Sequence, residues 1–403
     1  MSIIGQEFLI VAVGCPKGAG ASKKDGILAD LKRQASLQGS AAALKEPLKF
    51  DVPDGDRSLL FGSFDNLIRL TDDLAKADGQ VDSILHRLER QFVEMQPNAE
   101  FKVKSQRTEK SFLDYLKTWQ WDEAKYPKSR SISDNLSFSM SVVNHIDEEA
   151  RNKTAQYNDF KTQKSNMSKK DAANLTGKDL IDVLTPDVVK ATGGADDDFI
   201  YTEHITTVPV ILIRGADEEF LKVYETLEQN VVPGSARKFN GLDDKDGNTL
   251  WRVVMFKSAV DGFKKACREK RITVKDFEYS EDAFKKLKSQ REQIEESLKR
   301  QKELVLGLYQ AAWSDVMVAW MHIKAMRVFV ESVLRFGMPP SFASFMLSPK
   351  GDSVPSRKAL ADVLGKQVTG MGSAMAEGGG DDEDFYPYVS LSFVPFVVTR
   401  EGK

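Results

Sequence analysis

Apolar positions along the chain fall into two long helical stripes and several shorter runs. FLIVAV (8–13) is a continuous apolar run of strand length, and the GCPKGAGASKK after it predicts an exposed loop rich in glycine and lysine. Between Lys128 and Thr176 there is neither proline nor glycine. Within that stretch Ile132, Leu136, Met140, Val143, Ile146, Ala150, Tyr157 and Phe160 recur at helical spacing. One helix with a single apolar face is predicted. A second stripe runs from Glu281 to Phe336 through Phe284, Leu287, Ile294, Leu298, Val305, Leu308, Ala312, Val316, Ala319, Ile323, Met326, Val330 and Val333. Gly337 and then Pro339 and Pro340 stop it. A helix of that length spans about 80 Å at about 1.5 Å per residue, more than the diameter of an ordinary compact domain.

Between the two stripes the pattern changes. TEHITTVPVILI (202–213) reads as a strand and EEFLKVYETLEQNVV (218–232) as an amphipathic helix. SARKFNG (235–241) and TLWRVVMF (249–256) flank a hairpin turn. AVDGFKKACREKR (259–271) reads as a helix and ITVKDFEYS (272–280) as a closing strand. Toward the ends, residues 64–92 form a clear helix, 111–127 continues in the same vein, and YVSLSFVPFVV (388–398) alternates as a strand does. GKQVTGMGSAMAEGGGDDED (365–384) reads as a loop. The expected fold is α+β and mainly helical, an elongated dumbbell. Its parts are a foot (1–127 and 321–403) whose two chain ends share a sheet, neck helices (128–176 and 281–320) and an inserted α+β head (177–280).

Composition narrows the function. The 403 residues are 41% hydrophobic and 29% charged, enough for a packed core. A formal net charge of -3 argues against nucleic acid as the main partner. Cys15 and Cys267 form no C-x-x-C, and His86, His145, His204 and His322 form no paired motif, so neither a metal site nor a disulfide framework is expected. No apolar run approaches the length of a bilayer crossing, and the N-terminus lacks the basic start of a signal peptide.

Catalytic motifs fail on spacing. A phosphate-binding loop needs G-x-x-x-x-G-K-[ST]. From Gly14 the second glycine position holds Ala19, and from Gly18 it holds Lys23. The turn LDDKDGN puts Leu242 at the first position of a calcium loop and Val253 at the twelfth, so no calcium site is expected there. The acidic pairs Asp72/Asp73, Asp243/Asp244 and Asp381/Asp382 lie in polar stretches and read as solvated faces. No enzyme and no cofactor are expected.

Several long segments resemble the C subunit of the eukaryotic vacuolar-type proton ATPase (V-ATPase). They are GSFDNLIRLTDDL (62–74), WQWDEAKYP (119–127), YETLEQNVVPGSARK (224–238), CREKRITVKDFEYS (267–280), MHIKAMRVFVESVLRFGMPPSF (321–342) and PYVSLSF (387–393). The resemblance implies a non-catalytic stator subunit of the soluble sector, with a foot, neck and head. The head would bind a peripheral-stalk heterodimer of the E and G subunits, and the foot another such heterodimer and the N-terminal domain of the membrane-sector a subunit. It also implies a cytoplasmic location on vacuolar or other endomembranes, reversible release from the pump, and actin binding in some members. The alternative is an actin-binding or scaffold protein of coiled-coil type.

Candidate partner-binding residues are Lys264, Lys265, Arg268, Lys270 and Arg271, a basic cluster suited to an acidic coiled-coil face. His322, Lys324, Arg327 and Arg335 are polar positions in an apolar stripe and read as internal packing. Trp119, Trp121, Trp313 and Trp320 read as core.

Overall fold

The computed structural model describes residues 4–16, 21–33, 44, 46–55, 58–97, 100–105, 108–172, 174–191, 199–348, 353–368 and 386–398. Among them the chain is mixed helix and sheet. It divides into two compact units, Met1–Thr154 with Glu303–Lys403, and Ala155–Lys302. In chain order come β1 (Phe8–Gly14), α1 (Ala21–Arg33), β2 (Leu48–Lys49), α2 (Phe64–Met95), β3 (Lys102–Ser105), β4 (Thr108–Ser111), α3 (Phe112–Lys117) and α4 (Ile132–Ala172). Then follow α5 (Leu180–Val183), α6 (Pro186–Ala191), β5 (Ile205–Leu212), α7 (Asp217–Val223), β6 (Arg237–Lys238), β7 (Thr249–Phe256), α8 (Val260–Glu269) and β8 (Thr273–Val274). Last come α9 (Glu281–Phe336), β9 (Phe342–Leu347), α10 (Ser353–Val368) and β10 (Val389–Phe393).

The first unit holds a sheet in the order β10-β1-β9-β2, with every pair antiparallel. Phe8 faces Phe393 and Gly14 faces Phe342, so the two ends of the chain meet in one sheet. β1 is buried along its whole length, which is why it reads as an unbroken apolar run. Leu9, Val11 and Val13 pack with Phe345 against Ile27 and Leu31 of α1 and Leu360 and Leu364 of α10. On the opposite side, Phe8 meets Phe112 edge-on with ring centroids 5.6 Å apart. β10 stops at Phe393 because side chains of α2 take the backbone groups beyond it. The His86 ring meets the Val394 carbonyl at 2.8 Å, and Glu89 accepts from the Val397 and Val398 N–H groups at 3.0 and 3.2 Å.

α9 changes character along its length. Residues 312–333 are buried on nearly every face, whereas 281–302 alternate between half-buried and exposed positions. The buried part sits among aromatic rings: Trp313 stacks on Phe396 at 5.1 Å and lies 4.7 Å from Phe101. By length and composition α9 could cross a membrane, which departs from the sequence expectation; 61% of its apolar window is buried inside the protein, which makes it a core helix.

The second unit has a sheet ordered β6-β7-β5-β8, again antiparallel. One face packs on Phe220, Phe263 and Cys267, the other on Leu175, Leu180, Leu184 and Val189. The turn before β7 is organised by Asp244, whose Oδ1 accepts from the Asp246 and Asn248 N–H groups at 3.0 and 2.8 Å. That carboxylate is thereby spent on the turn.

Four sequence expectations need correction. The glycine-rich loop is shorter than expected, because helix α1 begins at Ala21; Ile27 and Leu31 supply its buried face, and Lys24 Nζ bonds both Asp54 oxygens at 2.9 and 2.8 Å. The helix expected over 218–232 ends at Val223 and tightens into a 3-10 turn, Tyr224–Thr226. There the Glu225 carboxylate accepts from the Gly234 N–H at 2.8 Å and folds the chain back. Over 111–127 only Phe112–Lys117 is helical, and Asp122 Oδ1 caps the later turn through the Ala124 and Lys125 N–H groups. Of the loop expected over 365–384, the first four residues belong to α10 and the rest lie outside the described residues.

One carboxylate joins α2 to α9. Asp78 is 7% exposed and accepts from Trp320 Nε1 at 2.6 Å, Lys324 Nζ at 2.9 Å and Arg327 Nη1 at 2.5 Å. Removing one member of a buried ionic cluster leaves uncompensated charge in a dry site. Asp78→Asn is expected to lower stability by about 3–5 kcal/mol, read as a shifted urea midpoint; a loss below about 1 kcal/mol would show that the cluster is not a clamp.

Candidate functional site

The basic cluster lies on and just after α8. Phe263 and Cys267 turn inward, and burial pushes the Cys267 thiol up to about 12. Lys265 and Arg268, three residues apart, fall on the opposite, exposed side. Lys270 and Arg271 follow at the exposed C-terminal end. Lys264 differs from the other four: it flanks the buried face, is half-buried, and is tied to Asp276. Among the described residues Lys265, Arg268, Lys270 and Arg271 make no ion pair. Four of the five candidates are therefore exposed and open, on a face that also carries the exposed Asp261 and Glu269.

The end of α8 has an unusual backbone. Arg271 sits at φ 59, the left-handed region in which glycine normally closes a helix. The Arg271 N–H reaches the Arg268 carbonyl at 3.1 Å and the Ile272 N–H the Cys267 carbonyl at 2.9 Å, the two bonds of a Schellman closure. Buried Ile272 packs with Cys267 and holds the turn shut. A non-glycine residue there costs about 1 kcal/mol. Strain of this kind points to a role for the side chain, here a guanidinium held at a helix C-terminus whose dipole favours a cation.

The polar positions of the second stripe turn inward. His322 is 1% exposed and stacks on Tyr126 with ring centroids 4.4 Å apart. Its Nδ1 donates to the Val318 carbonyl at 2.7 Å, and its Nε2 accepts from the Asp122 N–H at 3.0 Å. Those two bonds require a neutral ring with the proton on Nδ1. Lys324 and Arg327 hold Asp78, and Arg335 donates to the Tyr388 carbonyl. Trp119, Trp313 and Trp320 are buried, while Trp121 is half-buried. His322, Lys324 and Arg327 are internal, as expected, whereas Arg335 is half-buried at the edge of β10.

Asp78 and Glu89 were missed in the sequence. Both occupy the apolar side of α2, between Leu74 and Val81 and between Leu85 and Phe92. A carboxylate at a core-facing position of a helix is the signal that marks them. Among the described residues no group of three or more His, Cys, Asp or Glu side chains is placed to hold a metal ion.

A family model for the V-ATPase C subunit matches residues 8–389. The chain belongs to this family. It is 29% identical over 351 residues to the V-type proton ATPase C 1 subunit of Rattus norvegicus, covering 85% of this chain and 87% of that protein. The C 1-A subunit of Danio rerio is 29% identical over 352 residues, covering 85% and 88%. A solved structure of the cytoplasmic N-terminal domain of a V-ATPase I subunit, homolog of the a subunit, aligns over 96% of this chain and 100% of that one at 13% identity. Its TM-score is 0.28, and it carries no argument about the fold.

Within this member of the V-ATPase C family, the segments that carry the resemblance serve different ends. Residues 321–342 are the buried end of α9 and its exit into β9, and 119–127 wrap His322. Residues 267–280 instead carry Arg268, Lys270 and Arg271 to the surface.

Burial lowers the His322 pKa from 6.5 to about 4. In the unfolded chain the ring takes a proton near pH 6.5, and in the folded one only near pH 4. Between these values the unfolded state binds more protons, so stability falls as pH drops through that window and is fully present above it. The loss is about 3 kcal/mol by pH 4. His322→Gln should remove that part of the pH dependence in urea titrations at about pH 4.5 and about pH 7; an unchanged slope would show that His322 does not carry it.

Proposed function

We propose that the chain is the non-catalytic stator subunit of a V-ATPase soluble sector, bridging peripheral-stalk E–G heterodimers to the N-terminal domain of the membrane-sector a subunit. The observation that carries this reading is the family match across residues 8–389. The foot, neck and head division, with foot 1–127 and 321–403 and head 177–280, belongs to the same proposal. So does a cytoplasmic place on the face of vacuolar or other endomembranes. A rotary pump transmits torque only when its static parts resist co-rotation, and a bridging stator supplies that resistance. Two contacts on one chain bind with the second at high effective concentration, so losing either weakens the whole attachment steeply. That steepness suits a point of reversible assembly.

The exposed cations on and just after α8 are the proposed contact for an E–G heterodimer. Opposite charge at such a contact raises association rate and fixes register. Lys265→Glu with Arg268→Glu is expected to weaken binding to purified E–G heterodimer by about tenfold or more at moderate salt. Arg271→Gly should raise the stability of the free chain by about 1 kcal/mol while weakening the same binding. Unchanged affinity in both variants, measured by calorimetry, would remove α8 from the interface. Failure of a tagged chain to bring down the pump's catalytic subunits from native membranes would overturn the stator reading itself.

A further inference from the structure

A cleft of about 620 Å³ lies between the C-terminal end of α9, α10 and β10. Glu331, Arg335, Arg357, Tyr386, Tyr388 and Ser390 line it. β10 ends its sheet, so among the described residues its second edge carries no strand. Tyr388, Ser390 and Ser392 share one edge by the two-residue repeat of an antiparallel ladder. Two of these positions are capped from α9. Arg335 donates to the Tyr388 carbonyl, and Lys324 Nζ lies 3.4 Å from the Ser392 carbonyl. Ser390 sits between the caps, half-buried, and opens onto the cleft.

The cleft is cationic. Among the described residues Arg357 makes no ion pair, and its Nε is enclosed without a hydrogen-bond partner. An enclosed donor left unpaired is costly, and an incoming carboxylate removes that cost. The Tyr388 hydroxyl donates to the Arg357 carbonyl at 3.2 Å and fixes α10 beside the strand. Arg335 adds a second guanidinium, one that also donates to the Tyr388 carbonyl and neighbours Glu331. Glu331 is the cleft's one carboxylate among the residues lining it, and it is engaged by Arg327 Nη2 at 3.2 Å.

We propose that this cleft binds an extended acidic segment of a partner protein, whose carboxylates meet Arg357 and Arg335 and whose backbone adds to the edge of β10 at Ser390. Guanidinium groups match carboxylates in a planar, two-pronged fashion. A free strand edge supplies main-chain bonds, and alternate side chains of an added strand face opposite ways. The half-buried ring of Tyr386, backed by the buried ring of Tyr388 with centroids 5.5 Å apart, offers an aromatic contact to the apolar residues that alternate with acidic ones. The site involves no residue of α8, so it stands or falls apart from the E–G contact proposed above.

The test is fluorescence anisotropy on the full chain with a labelled peptide of alternating glutamate and valine. Saturable binding is expected. Arg357→Glu should weaken it by about tenfold or more, as should changing the peptide's glutamates to glutamine. Ser390→Pro, which removes an edge N–H, should weaken it comparably, while Lys153→Glu on the exposed side of α4 should leave it unchanged. Circular dichroism checks that each variant is folded, and if Arg357→Glu unfolds the chain then Arg357→Gln must show the loss. Equal binding of the glutamine peptide, unchanged affinity in a folded Arg357 variant, or equal competition by inositol hexakisphosphate or anionic vesicles would each overturn the proposal.

Discussion

The architecture of the first unit depends on one constraint: the part of α9 from Ala312 to Val333 is buried on almost every side. A helix with a single apolar stripe needs only one wall, but a helix buried all round needs several. The walls here are the sheet built from both chain ends, the long helix α2, and the aromatic turn around Trp119 and Tyr126. None of them closes alone. The β1–β10 pairing that brings Phe393 to Trp320 requires the two ends of the chain to meet. The buried half of α9 is the surface against which that pairing becomes worthwhile.

Burial of this kind forces every polar group near α9 to find a partner. Lys324 and Arg327 find the Asp78 carboxylate, and Trp320 shares it. His322 stays neutral between the Val318 carbonyl and the Asp122 N–H. Among the described residues the outer edge of β10 is closed by cations and a histidine rather than by another strand, through Arg335, Lys324 and His86. Such capping also guards an edge against unwanted strand pairing. Where it lapses, at Ser390, the edge opens into the arginine-lined cleft.

The exposed chemistry is of a different kind. On and just after α8, Lys265, Arg268, Lys270 and Arg271 face solvent without an ion pair among the described residues, and Arg271 is held in a conformation that stability alone would assign to glycine. Buried charges around α9 are paired and serve packing; the unpaired ones of α8 lie at the surface, where a partner can reach them. That contrast separates a basic cluster suited to binding from one that is internal, although both look alike as runs of Lys and Arg.

Local periodicity by itself determined a good deal. The bounds of α9, the long α4 and α2, the strand at 8–13, the β6–β7 turn and the inward faces of α4 and α9 follow from apolar spacing, because that spacing records which side of an element leaves water. The family was legible too, since segments such as 321–342 encode a specific packed surface. Tertiary structure decided the rest. It ended the helix after Val223 through the Glu225 carboxylate, began α1 inside a run that reads as loop, and spent Lys264 on Asp276 while leaving its four neighbours open. It also turned Asp78 and Glu89 into core partners of distant backbone and side chains. In each case a side chain bonds a group remote along the chain or competes with a local backbone preference. Periodicity reports only the average direction of the solvent, whereas the choice of a particular partner exists only once the chain has folded.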